Sequence, residues 1–192
     1  MSILHKMSLS LITSSLFLTG CQQFTQPLGP APAPMVEAHN QFNLQGKIGV
    51  RTPQQSGSAF FRWAQDNQDF DIELSGILGV GKTQISGKPG EVTLNSANTG
   101  LIRAESPEEL LQQATGWNAP ITHLVQWVQA RPASTDAKIT KDDLQRPTQF
   151  LEDDWTVDLS YNDQAALPNK LILKQSLESG KENRITMIIQ NR

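Results

Sequence analysis

Four groups of residues in the chain have types and spacings that suggest chemistry. Gly76-Ile77-Leu78-Gly79-Val80-Gly81-Lys82-Thr83 matches the phosphate-binding pattern G-x-x-x-x-G-K-[ST] at every position. A phosphate cradle also needs a helix whose N-terminus faces the anion. Gln84-Ile85-Ser86-Gly87-Lys88-Pro89-Gly90 instead alternates like a strand and breaks at a turn, so a glycine-flanked hairpin is expected and no nucleotide. Downstream of residue 20 the histidines are His39 and His123, neither with metal-ligand spacing around it, and His123 is expected to be solvated or to cap a helix. Glu152-Asp153-Asp154 lacks the spacing of a calcium loop and is expected to be solvated charge in a loop. The chain has no G-x-S-x-G elbow, so a secreted hydrolase is disfavoured, and no catalytic residue, metal or cofactor is assigned.

Cys21 carries the fourth possibility. It is the only cysteine among 192 residues, which excludes an intramolecular disulfide and a Cys-rich zinc site. Upstream lie Lys6 and an apolar run through Leu9, Leu11, Ile12, Leu16, Phe17 and Leu18, too short to span a bilayer. These features describe a secretory signal. The closing Leu18-Thr19-Gly20-Cys21 resembles a bacterial lipobox, which implies cleavage before Cys21 and acylation of that residue. Several acyl chains anchor stably where one is marginal. Gln22, where enteric-type sorting would read Asp as inner-membrane retention, implies the outer membrane.

Cleavage removes 20 of the 192 residues, leaving 172, and takes Lys6 with it, so the formal charge falls from −3 to −4. That balance excludes a basic nucleic-acid binder. The expected organisation is a signal peptide over 1–20, a lipidated Pro-rich tether over 21–37 and one domain over 38–192. Pro27 to Pro34 favours extended polyproline II, and Cys21 to Met35 would reach about 43 Å at about 3.1 Å per residue. The domain can therefore stand off a membrane while anchored to it.

The domain must supply whatever positions these groups. Phe42, Leu44, Gly46, Ile48 and Val50 have strand period, as does Gly57 to Asp66 with Ala59, Phe61 and Trp63 on one face and Phe60, Arg62 and Ala64 on the other. Phe70, Ile72 and Leu74 alternate with Asp69, Asp71 and Glu73. Thr83 to Gly87, Glu91 to Ser96, Gly100 to Glu105, and the apolar sets at Trp155–Leu159, Leu171–Leu173 and Ile185–Ile189 complete the strands. Ser106-Pro107-Glu108-Glu109 opens a helix that stops at Gly116. Ile121, Leu124, Val125 and Val128 predict a second helix ending at Arg131-Pro132, and Met35 to Gln41 a short third one. Short strands at regular spacing with a helical insert make an α+β fold: a curled antiparallel sheet forming an incomplete β-barrel. Two features stay unabsorbed. The connection from Ser75 to Gly81 carries Ile77, Leu78 and Val80 where polar residues are usual, which suits contact with a membrane or partner, or folding back onto the core. Lys170, Lys174, Lys181 and Arg184 are either scattered surface cations or a face for an acidic partner.

An ordered set of motifs then emerges: Trp63-x-Gln65, Phe70-x-Ile72-x-Leu74-x-Gly76-x-Leu78-Gly79, Gly87-x-Pro89-Gly90-x-Val92-x-Leu94, Ser106-x-Glu108-Glu109-Leu110-Leu111, Thr115-Gly116-Trp117-x-x-Pro120 and Leu124-x-x-Trp127. From Phe42 to Pro132, and more loosely to the C-terminus, this resembles the LolB family of outer-membrane lipoprotein receptors. The resemblance implies helices covering an apolar cavity that accepts acyl chains of lipoproteins from the periplasmic carrier LolA. It implies a monomeric receptor, lipid-anchored at Cys21 and facing the periplasm, that inserts its clients into the inner leaflet of the outer membrane without nucleotide. The loop bearing Ile77, Leu78 and Val80 aligns with the family's membrane-insertion loop, Leu78 with its leucine and Ile77 with a common proline. Strand phase nominates Phe61, Trp63, Phe70, Ile72, Leu74 and Ile85 as cavity wall, with Trp117 and Trp127 from the helical cover. The same side chains would serve a filled core. The competing expectation is therefore a scaffold lipoprotein that uses the apolar loop to hold a protein partner.

Overall fold

The computed structural model describes residues 40–76 and 81–192. All of them fall in one compact unit, Ala38–Arg192. In chain order these residues form β1 (Gln41–Arg51), β2 (Ser56–Asp66), β3 (Asp69–Ser75), β4 (Lys82–Lys88), β5 (Glu91–Ser96), β6 (Gly100–Ala104), α1 (Pro107–Thr115), a 3₁₀ turn (Ile121–His123), α2 (Leu124–Trp127), β7 (Lys138–Lys141), β8 (Pro147–Glu152), β9 (Trp155–Ser160), β10 (Lys170–Ser176) and β11 (Glu182–Asn191). One antiparallel sheet of eleven strands results, ordered β6-β5-β4-β3-β2-β1-β11-β10-β9-β8-β7. β6 and β7 are its two edges, so the sheet curls without closing. This is the incomplete barrel that the strand spacing predicts.

Alternation sorts the side chains cleanly. On β2, Ala59, Phe61, Trp63 and Gln65 are buried while Phe60, Arg62 and Ala64 are exposed. The inward residues of β8 to β11, among them Phe150, Val157, Leu171, Leu173, Ile185 and Met187, are sealed in the core with Leu124, Trp127 and Val128. One glycine sets the seam between β1 and β11. A Cβ on Gly46 would stand 1.9 Å from the Ile188 carbonyl oxygen, and the ladder shifts register between Gln45 and Gly46. The two backbones thus approach as closely as only glycine permits.

The expected elements need correction at three points. α1 forms as predicted: Ser106 accepts from Glu109 N at 3.1 Å, and Gly116 closes the helix at φ 70°. The second segment is one 3₁₀ turn followed by one α turn, and it stops at Trp127, short of Arg131-Pro132. Ala130 turns the chain at φ 57°, where a bond from Arg131 N to Gln126 O ends the segment. Gln41 begins β1 and is not helical, while 35–39 lie outside the described residues. β7 and β8 occupy 138–152, for which no strand was expected.

Candidate functional site

The inward rows of β1 to β6 change character along the sheet. Register places Leu44 opposite Trp63, Trp63 opposite Ile72, Ile72 opposite Ile85, Ile85 opposite Leu94, and Leu94 opposite Ile102. This apolar row crosses six strands on one face. Leu44 and Trp63 are buried, at 1% and 5% exposure, whereas Ile72, Ile85, Leu94 and Ile102 are only half-buried. Phe61 and Leu74 face each other in the next row, the first buried and the second half-buried. Phe70 lies across Gly87, where a Cβ would stand 2.6 Å from its ring, so the glycine makes room for an aromatic side chain on its own face. The concave surface is therefore a sealed core from β8 to β11 and a half-open apolar wall from β3 to β6.

The predicted wall residues divide accordingly. Phe61, Trp63 and Trp127 belong to the sealed part, while Phe70, Ile72, Leu74, Ile85 and Trp117 remain partly accessible. Leu94 and Ile102 join the wall although strand phase did not single them out. They sit on short strands with polar neighbours, and only the register connects them to Ile85.

Local chemistry explains the motif residues. Trp63 Nε1 donates to Gln65 Oε1 at 2.8 Å, and Gln65 Nε2 to Asn67 O at 2.9 Å, so Trp63-x-Gln65 satisfies a buried indole within one strand. Phe42 packs edge-on against Trp63 with centroids 5.0 Å apart. Thr115 donates back to Leu111 O, Gly116 turns, and Trp117 then faces Trp155 at 6.5 Å. α1 lies against β5 and β6. Glu108 accepts from both the amide and the hydroxyl of Thr122, at 2.8 and 2.9 Å, tying α1 to the 3₁₀ turn.

The second tie was missed. Glu152 is buried, contrary to the expected solvated charge. It ends β8 in phase with Phe150, so it points inward. There it accepts from Trp127 Nε1, Ala133 N, Ser134 N and Ser134 Oγ. Burial alone would raise its carboxyl, but the bonds from Trp127, Ser134 and Ala133 outweigh burial and hold it below the ordinary value. One carboxylate thus fixes the cover segment to the sheet. His123 stands at the N-cap position of α2 without a capping bond from its side chain, which is 28% exposed. Its ring stands edge-on to Trp127 at 5.5 Å, with Nδ1 3.4 Å from Asp153. The phosphate-loop pattern also resolves structurally. Lys82 starts β4, a strand paired to β3, where a cradle would require a helix.

The profile of the family described as "Outer membrane lipoprotein LolB" matches residues 40–191. The chain belongs to the LolB family. A protein named outer-membrane lipoprotein LolB from Pseudomonas syringae pv. syringae is 35% identical over 205 aligned positions, covering 100% of this chain and 96% of the relative. A LolB of Pseudomonas putida is 38% identical over 154 positions, covering 78% and 73%. One from Stutzerimonas stutzeri is 37% identical over 153 positions, covering 78% and 72%. Membership makes the chain an outer-membrane lipoprotein of the lipoprotein-transport system. Residues 77–80, with Ile77, Leu78 and Val80, and the Cys21 region lie outside the described residues. Gly76 and Gly81, which bracket the loop, both adopt positive φ, at 79° and 65°. A groove of about 830 Å³ is lined by polar residues of the convex face, among them Asn43, Asp66, Asp71 and Thr93, and reaches Phe42 and Phe70 at the end of the apolar wall.

Proposed function

We propose that this outer-membrane lipoprotein accepts other lipoproteins by their acyl chains, taking them from the periplasmic carrier LolA, and inserts them into the inner leaflet of the outer membrane. The observation that carries this is the apolar row running from buried Trp63 to half-buried Ile72, Ile85, Leu94 and Ile102. A scaffold with a filled core has no need of large aliphatic side chains left part-accessible beneath a cover. Acyl chains enter between this wall and α1, which lies against β5 and β6, with Phe61, Trp63 and Trp127 as the firm floor. Each buried CH₂ contributes about 0.8 kcal/mol, so a few turns of chain suffice for tight capture. The Trp117 indole N–H is buried and has no partner among the described residues. It is available to a carbonyl of the incoming lipid. Transfer then needs only a gradient of affinity, about 1.4 kcal/mol per tenfold, and neither a covalent step nor a nucleotide.

Lipidated Cys21 and the Pro-rich tether keep the receptor at the membrane, and the loop with Ile77, Leu78 and Val80 delivers the client into it. Two outcomes test the parts separately. The Cys21→Ala chain should still take a radiolabelled lipoprotein from purified carrier, and absence of transfer would overturn the acceptor role. Leu78→Glu should accept normally yet insert about tenfold more slowly into vesicles, since burying a leucine contributes roughly 1.5–3 kcal/mol. Equal insertion rates would remove the loop from the mechanism.

A further inference from the structure

The convex face carries a second cross-sheet row. Lys170 pairs with Ile188, Ile188 with Lys47, Lys47 with Phe60, Phe60 with Ser75, and Ser75 with Lys82. Directly paired residues share a face, so this sequence of Lys, Ile, Lys, Phe, Ser and Lys is one continuous outward line across β10, β11, β1, β2, β3 and β4. Phe60 is 53% exposed and Ile188 40%, with Lys47 Nζ 4.8 Å from the Phe60 ring centre. The line ends at Ser75 and Lys82, the strand residues on either side of the 76–81 connection. Two rows beyond it, toward that connection, Arg51, Arg184 and Lys174 face outward together. Lys82, Lys174 and Arg184 have acidic neighbours in Glu73, Asp158 and Glu182. Lys47, Arg51 and Lys170 make no ion pair among the described residues. At the other end of the same strands the face is net acidic, with Asp66, Asp69, Asp71 and Glu91 around the groove against a single cation, Lys88, which is paired to Glu91. From Phe60 to Asp66 is roughly 20 Å of strand. A chain of net charge −3 thus concentrates cations and exposed apolar groups at one end of its convex face.

We infer that this row is a membrane-docking surface for anionic phospholipid headgroups. Cations beside an exposed aromatic ring suit the headgroup boundary, where Lys binds phosphate and Phe enters the interface. The acidic far end is repelled, so the face orients the molecule with the 76–81 connection toward the bilayer. The inference rests on the proposed membrane-insertion role of that loop only for the purpose of the orientation. Lipid contact by the row itself stands on the charge pattern and on the outer-membrane location.

The test uses the whole chain with Cys21→Ala, so that no acyl anchor masks the contact, and its co-sedimentation with phosphatidylethanolamine vesicles with or without phosphatidylglycerol. The parent should prefer the phosphatidylglycerol vesicles and lose that preference as salt rises. Lys47→Ala and Lys170→Ala should each weaken binding about fivefold, with unchanged thermal unfolding, and Phe60→Ser should weaken it on both vesicle types. A double lysine variant that binds like the parent overturns the inference, as does a parent indifferent to phosphatidylglycerol. Leu78→Glu run alongside separates the two claims. If it alone loses binding, the loop role stands and the row falls; if it binds normally while the lysine variants do not, the row stands and the loop role falls. Normal vesicle binding by the lysine variants with slowed uptake from the carrier assigns the row to an acidic protein instead, and also overturns it.

Discussion

Glu152→Ala should destabilise the domain by about 3 kcal/mol or more, because it strands the Trp127 indole N–H and the Ala133 and Ser134 amides without their acceptor. For a domain of this size the melting temperature should fall roughly 6–12 °C. Glu152→Gln keeps one acceptor oxygen, turns an amide toward the donors and loses the charge, so about half that loss is expected. The pH dependence has a definite sign. The folded carboxyl sits below its ordinary value of 4.5. Its contribution is therefore complete above that value and is lost as pH falls through the folded one. Parent and Glu152→Gln should accordingly differ most at neutral pH and converge on acidification, as read by calorimetry. A constant gap across the acid range would mean that the charge is not what holds the cover.

Gly46→Ala should be as costly for a different reason. The added methyl meets backbone, not the end of a flexible side chain, 1.9 Å from Ile188 O and 2.9 Å from its carbonyl carbon. β11 must move off β1, at a cost of about 3 kcal/mol. Hydrogen exchange should accelerate first at the amides of the β1–β11 ladder. Gly49→Ala, three positions along the same strand, is the control. Its Cβ would lie 3.8 Å from Gly57 O in ordinary contact, and a change within about 0.5 kcal/mol is expected. Similar losses from both substitutions would show that strand propensity, not close approach, governs the seam.

The period-2 strands were legible because each has one wet and one dry face. Asp69-Phe70-Asp71-Ile72-Glu73-Leu74 states its orientation in six residues. β7 was not legible: Lys138-Ile139-Thr140-Lys141 is exposed at every position, so no burial pattern was ever imposed on it. β8 opens on a proline and places Phe150 beside Leu151, which hides the alternation. In the second helical segment, the spacing of Ile121, Leu124, Val125 and Val128 correctly named the residues turned toward the core. Spacing does not distinguish a 3₁₀ turn plus one α turn from a longer helix, because both bring i and i+3 to one side. Glu152 was misjudged because its donors lie 18 to 25 residues upstream. Beside Asp153 and Asp154 it looks like surface charge. Once β8 is recognised, its phase with Phe150 gives the inward direction. For the wall, strand phase found the inward side chains, but only the sheet order shows which of them are sealed and which stay part-open.

Because β1 lies between β2 and β11, the first and last strands of the domain are neighbours in one ladder. Export delivers the chain from its N-terminus, so β1 to β6 emerge with one edge of β1 bare for as long as the remaining strands take to follow. That edge pairs with its proper partner only after the final ten-residue strand, Glu182–Asn191, has crossed. Until then it is open to any passing strand, the usual route to aggregation. Loop closure over such a separation is slow compared with hairpin formation. The arrival of the last strand, rather than the emergence of the first ones, therefore sets the moment at which this sheet is complete.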